Sequence, residues 1–164
     1  MITLVLGGTR SGKSALAESL VPEGGLYIAT AEILDAEMKA RIDSHVARRG
    51  TTWQTLEAPF DLAQALRHQD MPTLVDCLTL WVSNLLLAGR DATLEVADVI
   101  EALKSRHSDT VLVSNEVGLG IVPDNALARD FRDRAGIVNQ KIAAMADRVV
   151  FVAAGLPMVL KGSL

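Results

Sequence analysis

The sequence predicts an α/β fold, a mostly parallel sheet with helices on both faces, in a single domain spanning residues 1–164. Three observations carry that expectation. Short β-branched runs alternate with longer helical stretches along the chain. Hydrophobic residues make up 49% of the sequence and aromatic ones only 4%, so Leu, Val, Ile and Ala must build the core, as in parallel strands buried on both faces. A glycine-rich stretch, "GGTRSGKS", joins the first apolar run to the first helical one.

Taken in order, strands are predicted at residues 2–6, 26–29, 73–76, 110–114 and 148–152, each a short aliphatic run. "TTWQTLE", residues 51–57, reads as a further, shorter strand. Helices are predicted to begin near Lys13, Ile33, Asp61, Leu78, Leu94 and Asn125. The last runs through "ARDFRDRAGIVNQKIAAMAD", whose mixed charges Arg129, Asp130, Arg132, Asp133 and Arg134 mark a solvated face. The helix from Ile33 carries a stripe of Leu34, Met38, Ile42 and His45, with intervals of four, four and three. The stripe alone favours a packed structural histidine over a reactive one, since histidines on apolar faces are usually structural. No repeat of fixed period and no low-complexity tract interrupts this pattern.

Composition narrows the function. Sixteen basic and twenty acidic residues give a net charge of −4, mixed along the chain. Without a basic tail or stripe, nucleic acid is not an expected partner. The single cysteine, Cys77, rules out an internal disulfide framework and fits a reducing compartment; it reads as a small buried hydrophobe. No apolar run reaches transmembrane length. "MITLVLGGTR" lacks the basic leader of a secretory signal, so a cytoplasmic protein is expected.

The strongest motif is "GGTRSGKS", Gly7, Gly8, Thr9, Arg10, Ser11, Gly12, Lys13 and Ser14, which fits G-x-x-x-x-G-K-[ST]. Glycines let the backbone turn its N–H groups inward around a phosphate and approach it closely. Lys13 is then expected to reach the β- and γ-phosphates and Ser14 to ligate Mg²⁺. An apolar strand precedes the loop and a helix follows it, the context the motif requires, so the fold is expected to be P-loop NTPase-like (RecA-like). An acidic residue at the end of a neighbouring strand should hold Mg²⁺ through water. Asp76, ending "TLVD", is the first candidate and Glu116, after "VLVSN", the second; either carboxylate could instead cap the following helix.

No N-K-x-D element is present, and "DRAG", residues 133–136, lies inside a helical pattern, so a GTPase switch is not expected. The chain is too short for a large motor or transporter ATPase. Kinases and nucleotidyl transferases acting on small molecules remain.

"GGTRSGKS", "LYIATAEILDAEMKARIDSHVARR", "WQTLEAP", "LVDCLTLWVSNLL" and "VLVSNEVGLGIVPDNALARDFRDRAGIVNQKIAAMADRVVFVAAGLP" run in order and at suitable spacing. Over nearly the whole chain they resemble the bifunctional adenosylcobinamide kinase / adenosylcobinamide-phosphate guanylyltransferase family of cobalamin biosynthesis. That resemblance implies two reactions. A nucleoside triphosphate phosphorylates the aminopropanol hydroxyl of adenosylcobinamide, and GMP is then transferred from GTP through a guanylylated histidine.

His45 matches that histidine. Family members often carry two adjacent histidines, whereas here Ser44 precedes a single one. The resemblance further implies nucleotide contacts at Gly7 to Ser14, at Thr30, Ala31 and Glu32, at Val46, Ala47, Arg48 and Arg49, and at Glu57 and Asp76, the last position often Glu in the family. It also implies a homotrimer, with GTP and ATP as substrates and Mg²⁺ as cofactor. A neutral imidazole is a competent nucleophile at cytoplasmic pH, and Arg48 and Arg49 would offset phosphate charge. For His45 to reach the α-phosphorus, the helix from Ile33 to Arg48 should lie beside the P-loop mouth and move when nucleotide binds.

"EVGLGIVPDN", residues 116–125, is as well read as a corrinoid rim as it is as an ordinary connection. His68 and His107 are assigned no chemistry. Two other readings stay open: a single-activity small-molecule kinase in which His45 only packs, and a non-catalytic nucleotide-binding regulatory module.

Overall fold

The computed structural model describes residues 1–32 and 52–164. The helix expected from Ile33, with the stripe of Leu34, Met38, Ile42 and His45, lies outside the described residues.

Seven strands form one sheet: β1 (Ile2–Gly7), β2 (Gly25–Ala29), β3 (Trp53–Glu57), β4 (Thr73–Asp76), β5 (Thr110–Asn115), β6 (Arg148–Ala153) and β7 (Leu156–Lys161). Their spatial order is β3-β2-β4-β5-β1-β6-β7. Every neighbouring pair is parallel except β6 and β7, which are antiparallel. The predicted strands are all present, lengthened at most by a residue at an end. The shorter extended piece forms β3 at an edge.

Five helices are described: α1 (Lys13–Ser19), α2 (Leu62–His68), α3 (Leu78–Leu87), α4 (Ala92–Lys104) and α5 (Ala126–Met145). Alternation along the central strands divides the core in two. Leu4 and Leu6 face a large cluster with Leu62, Leu66, Trp81, Leu85, Val96, Leu103, Val138 and Ile142, drawn from α2 to α5. Val5 faces the opposite way, into a smaller cluster with Ala17 and Val21, on and just beyond α1, and with Val111, Val113 and Val150. Helices therefore cover both faces, which is why the strands read as unbroken apolar runs.

Helix starts follow capping chemistry. Asp91 accepts from the Thr93 N–H and starts α4 two residues ahead of the expected Leu94. Asn125 caps α5 by accepting from the Ala128 N–H at 2.8 Å.

One strand was not expected. β7 returns against β6 through Ala154 (φ 51°) and Gly155 (φ 78°), a pair of positive-φ residues suited to a tight hairpin. All six of its residues are exposed, among them Leu156, Met158 and Leu160. No helix among the described residues is long and apolar enough to cross a membrane.

Candidate active site

A parallel sheet brings the carboxyl ends of its strands to one edge, and ligands of α/β folds bind there. At that edge Ala29 pairs in register with Asp76 on one side and with Glu57 on the other, so β3, β2 and β4 present Glu57, Ala29 and Asp76 in one row. Gly7 ends β1 opposite Asn115 and Val152, and the glycine-rich loop springs from it.

The loop tolerates no bulk where it must bend. A Cβ on Gly7 would sit 2.5 Å from Ser11 Oγ and 2.6 Å from the Val152 carbonyl. Gly12 has φ 96° and lies so near Gly155 that a Cβ would meet its Cα at 3.1 Å. Arg10 also takes a positive φ, 57°. Two bonds tie the loop together: Ser11 N–H to Gly8 O at 3.3 Å and Lys13 Nζ to Gly8 O at 3.1 Å. Among the described residues, the N–H groups of Thr9, Arg10 and Gly12 enter no hydrogen bond. Ser11 Oγ is buried and likewise has no partner there. Buried polar atoms left without partners are rare, and a ring of unused donors suits an anion.

Charge converges on the same place. Burial holds the Lys13 ammonium below its ordinary pKa of 10.5, opposed by the nearby Cys77 thiol and Asp76 carboxylate. Asp76 is half-buried, and Tyr27 donates its hydroxyl hydrogen to Asp76 Oδ2. The Tyr27 ring is itself buried and meets Trp53 edge-on, centroids 6.0 Å apart and planes at 87°. Cys77 is buried, and burial together with the Asp76 charge pushes its thiol from 9.0 to about 11, so it is an inert thiol.

Thr30 fixes the backbone behind the carboxylate. Its hydroxyl accepts from Cys77 N–H at 2.8 Å and lies 2.7 Å from Cys77 O, while its own N–H reaches Asp76 O at 3.1 Å. Asn84 completes the clasp by donating to Thr30 O at 2.7 Å and to Pro59 O at 3.0 Å. The Thr30 side chain is thus spent on the strand end; Ala31 and Glu32, half-buried, follow it towards the edge.

The structure therefore gathers Gly7 to Ser14, Thr30 to Glu32, Glu57 and Asp76 along one edge. Five expected contacts, His45, Val46, Ala47, Arg48 and Arg49, lie outside the described residues. Glu116 stands beside the loop, its N–H on Gly7 O at 3.1 Å, but its carboxylate accepts from the Gly118 N–H at 2.5 Å and so caps its own turn. His68 and His107 are exposed at the ends of α2 and beyond α4.

Sequence reasoning missed the supporting residues. Tyr27 had one signal, a lone aromatic in an aliphatic strand; Asn84 had none. A buried network also went unseen. Asn115 N–H donates to Thr79 Oγ1 at 2.6 Å, Thr79 meets Ser114 Oγ at 3.2 Å, and Ser114 donates to Asn139 Oδ1 at 2.7 Å. It holds the end of β5 against α3 and α5.

A phosphate cradle with a lysine and a strand-end carboxylate does not by itself choose among small-molecule kinases and transferases. Family comparison does. Residues 3–160 match the model of the family described as cobinamide kinase / cobinamide phosphate guanyltransferase. The chain belongs to that family. Membership makes it a transferase with kinase and guanylyltransferase activities in cobalamin biosynthesis.

Relatives agree over their full lengths. The bifunctional adenosylcobalamin biosynthesis protein CobP of Pseudomonas aeruginosa is 50% identical, over 99% of this chain and 98% of its own. CobU of Salmonella typhimurium, of the same description, is 42% identical over 98% of this chain and all of its own. Among solved structures, the flagellar accessory protein FlaH of Methanocaldococcus jannaschii superposes with a TM-score of 0.54 at 12% identity, covering 99% of this chain and 78% of that one. That likeness concerns the fold alone, the P-loop NTPase-like sheet expected from the motif.

Proposed function

We propose that the chain performs both reactions at this one edge and that His45 carries the nucleotidyl group between them. In the first reaction, the aminopropanol hydroxyl oxygen of adenosylcobinamide attacks the γ-phosphorus of ATP or GTP. The bond to the β–γ bridging oxygen breaks, the nucleoside diphosphate leaves, and the hydroxyl proton passes to solvent. In the second, a nitrogen of neutral His45 attacks the α-phosphorus of GTP and pyrophosphate leaves. A phosphate oxygen of adenosylcobinamide phosphate then attacks the same phosphorus, breaks the N–P bond and yields adenosylcobinamide-GDP.

The observation that carries this reading is the cradle itself: unused N–H donors and an unpartnered Ser11 hydroxyl in one loop with a lysine that lies near the strand-end carboxylate Asp76. Lys13 would neutralise charge building on the phosphates in both reactions, and Gly7 to Ser14 would orient them. Thr30, Ala31, Glu32 and Glu57, on the sheet edge shared with the cradle, and Val46 to Arg49, which follow the histidine in sequence, are the nucleotide contacts the family resemblance adds.

Ser14 and Asp76 suit Mg²⁺. Among the described residues no group of three or more His, Cys, Asp or Glu side chains forms a metal cage. Mg²⁺ needs none, because it takes most of its oxygens from phosphates and water. When bound it would supply charge neutralisation between phosphate oxygens.

Two coarser proposals go with this. The exposed apolar residues of β7, with Leu119, Ile121 and Val122 in the loop before α5, support a homo-oligomer, and the family resemblance a trimer. Small-molecule substrates and the absence of a long apolar helix among the described residues support a cytoplasmic enzyme.

The test is covalent. GTP labelled in its α-phosphate, incubated with Mg²⁺, should leave an acid-labile, alkali-stable adduct on wild type and none on His45→Ala. Unlabelled wild type, or equal labelling of the variant, refutes a guanylyl transfer that runs through His45.

A further inference from the structure

We propose that Tyr27 is a positioning residue for Asp76, its hydroxyl holding one carboxylate oxygen so that the other is presented to a divalent cation at the phosphate cradle. This rests on reading Asp76 as the acid that serves the cation.

The sheet register makes the contact. Tyr27 pairs with Leu74 across β2 and β4, and both side chains enter the smaller core cluster. Side chains repeat on one face every second residue, so Asp76, two places beyond Leu74, rises on the same face as Tyr27. A phenol is long enough to bridge that diagonal, and here it donates to Asp76 Oδ2. Among the described residues it is the one side chain that donates to this carboxylate.

Two features argue against a passive contact. Tyr27 is 3% exposed, and the edge of Trp53 fixes its ring, so the hydroxyl cannot wander. The Asp76 main chain is held separately by Thr30, leaving χ1 and χ2 of a short side chain as the only freedom that remains. The Tyr27 hydroxyl removes that freedom. With Oδ2 engaged, Oδ1 is the oxygen left for a cation, on a carboxylate whose charge Lys13 already feels.

The chain contains one tyrosine, which makes the test clean. Full-length protein is loaded with a non-hydrolysable GTP analogue and titrated with Mn²⁺, free ion being read by electron paramagnetic resonance. Tyr27→Phe should weaken Mn²⁺ binding about tenfold or more, the scale of one hydrogen bond to a charged group. Binding of the analogue without metal should be unchanged, and kcat at saturating Mg²⁺ should stay within about twofold. Trp53→Phe keeps both the hydroxyl and an aromatic partner for its ring, and should bind Mn²⁺ as wild type does.

As a second measurement, 3-fluorotyrosine incorporated throughout labels Tyr27 alone, and its ¹⁹F resonance should shift when Mg²⁺ joins the nucleotide complex. Asp76→Asn separates the two levels. If it loses Mn²⁺ affinity while Tyr27→Phe does not, or the fluorine signal stays still, the positioning role is overturned and the acid's role survives. If Asp76→Asn binds Mn²⁺ as wild type does, the reading of Asp76 itself is overturned.

Discussion

Replacing Thr30 with Val removes one hydroxyl and nothing of its shape, at a residue with no exposed surface. Three hydrogen bonds survive because they belong to the main chain: Thr30 N–H to Asp76 O, Asn84 Nδ2 to Thr30 O, and Trp81 N–H to Cys77 O at 3.2 Å. What is lost is the hydroxyl's pair of bonds to Cys77: it accepts from Cys77 N–H at 2.8 Å and donates to Cys77 O at 2.7 Å, and of the two only the carbonyl keeps another partner, Trp81 N–H. A buried donor left unsatisfied costs about 1–3 kcal/mol, so about 2 kcal/mol is expected. For a domain of this size that corresponds to a melting temperature about 4–8 °C lower.

Thr30→Ser keeps the hydroxyl and loses one methyl, about 1 kcal/mol. Calorimetry and urea titration of the three proteins should therefore rank wild type above Ser above Val. The same donor anchors the strand end behind Asp76, so Val and not Ser should also raise the Mg²⁺ needed for half-maximal kinase rate. A Val variant melting with wild type, or a Ser variant less stable than Val, refutes the reasoning.

Other expectations follow from burial and charge. Lys13→Met should abolish triphosphate binding yet leave the melting temperature of the nucleotide-free protein equal or higher, because burial holds the Lys13 pKa down and its charge is destabilising below that pKa. A lower melting temperature would contradict this. Cys77 titrates near 9.0 when unfolded and at about 11 when folded, so the unfolded state loses its proton first and stability should fall as pH rises from 9 to 11. Denaturant titrations of wild type and Cys77→Ala should show a shallower decline in the variant; parallel curves would refute it. Native Cys77 should also resist iodoacetamide at pH 8 and react once unfolded.

The parts of the fold that were legible are those whose signal is local. Strand runs such as "TLVD" and "VLVS" are apolar because both faces are covered, and the cradle's glycines are demanded by positions where a Cβ would strike Ser11 or Gly155. β7 was not legible because its signal is weak: Pro157 and Gly155 break the pattern, no residue is buried, and pairing with β6 alone makes "LPMVLK" a strand. The supporting shell escaped for another reason. Tyr27 and Asp76, Thr30 and Cys77, and Asn84 and Thr30 are separated by 49, 47 and 54 residues, and only the sheet order brings each pair together. His45 is reached through the P-loop and the family resemblance, since its stripe alone favours packing over chemistry.

The cradle's shape is set from outside itself. α1 is only seven residues long and no side chain caps its start, so it offers the loop little rigidity of its own. The strands on either side supply it instead. From the residue just beyond β5, Glu116 N–H takes the Gly7 carbonyl at 3.1 Å; from the hairpin beyond β6, Gly155 N–H takes the Ser11 carbonyl at 2.8 Å. Both bonds consume acceptors of the loop and spare its donors, which is the polarity an anion site needs. The unplanned hairpin is thus part of the site's architecture: its turn satisfies Ser11 O and presses on Gly12, while Thr9, Arg10 and the Ser11 hydroxyl keep their hydrogens for a phosphate.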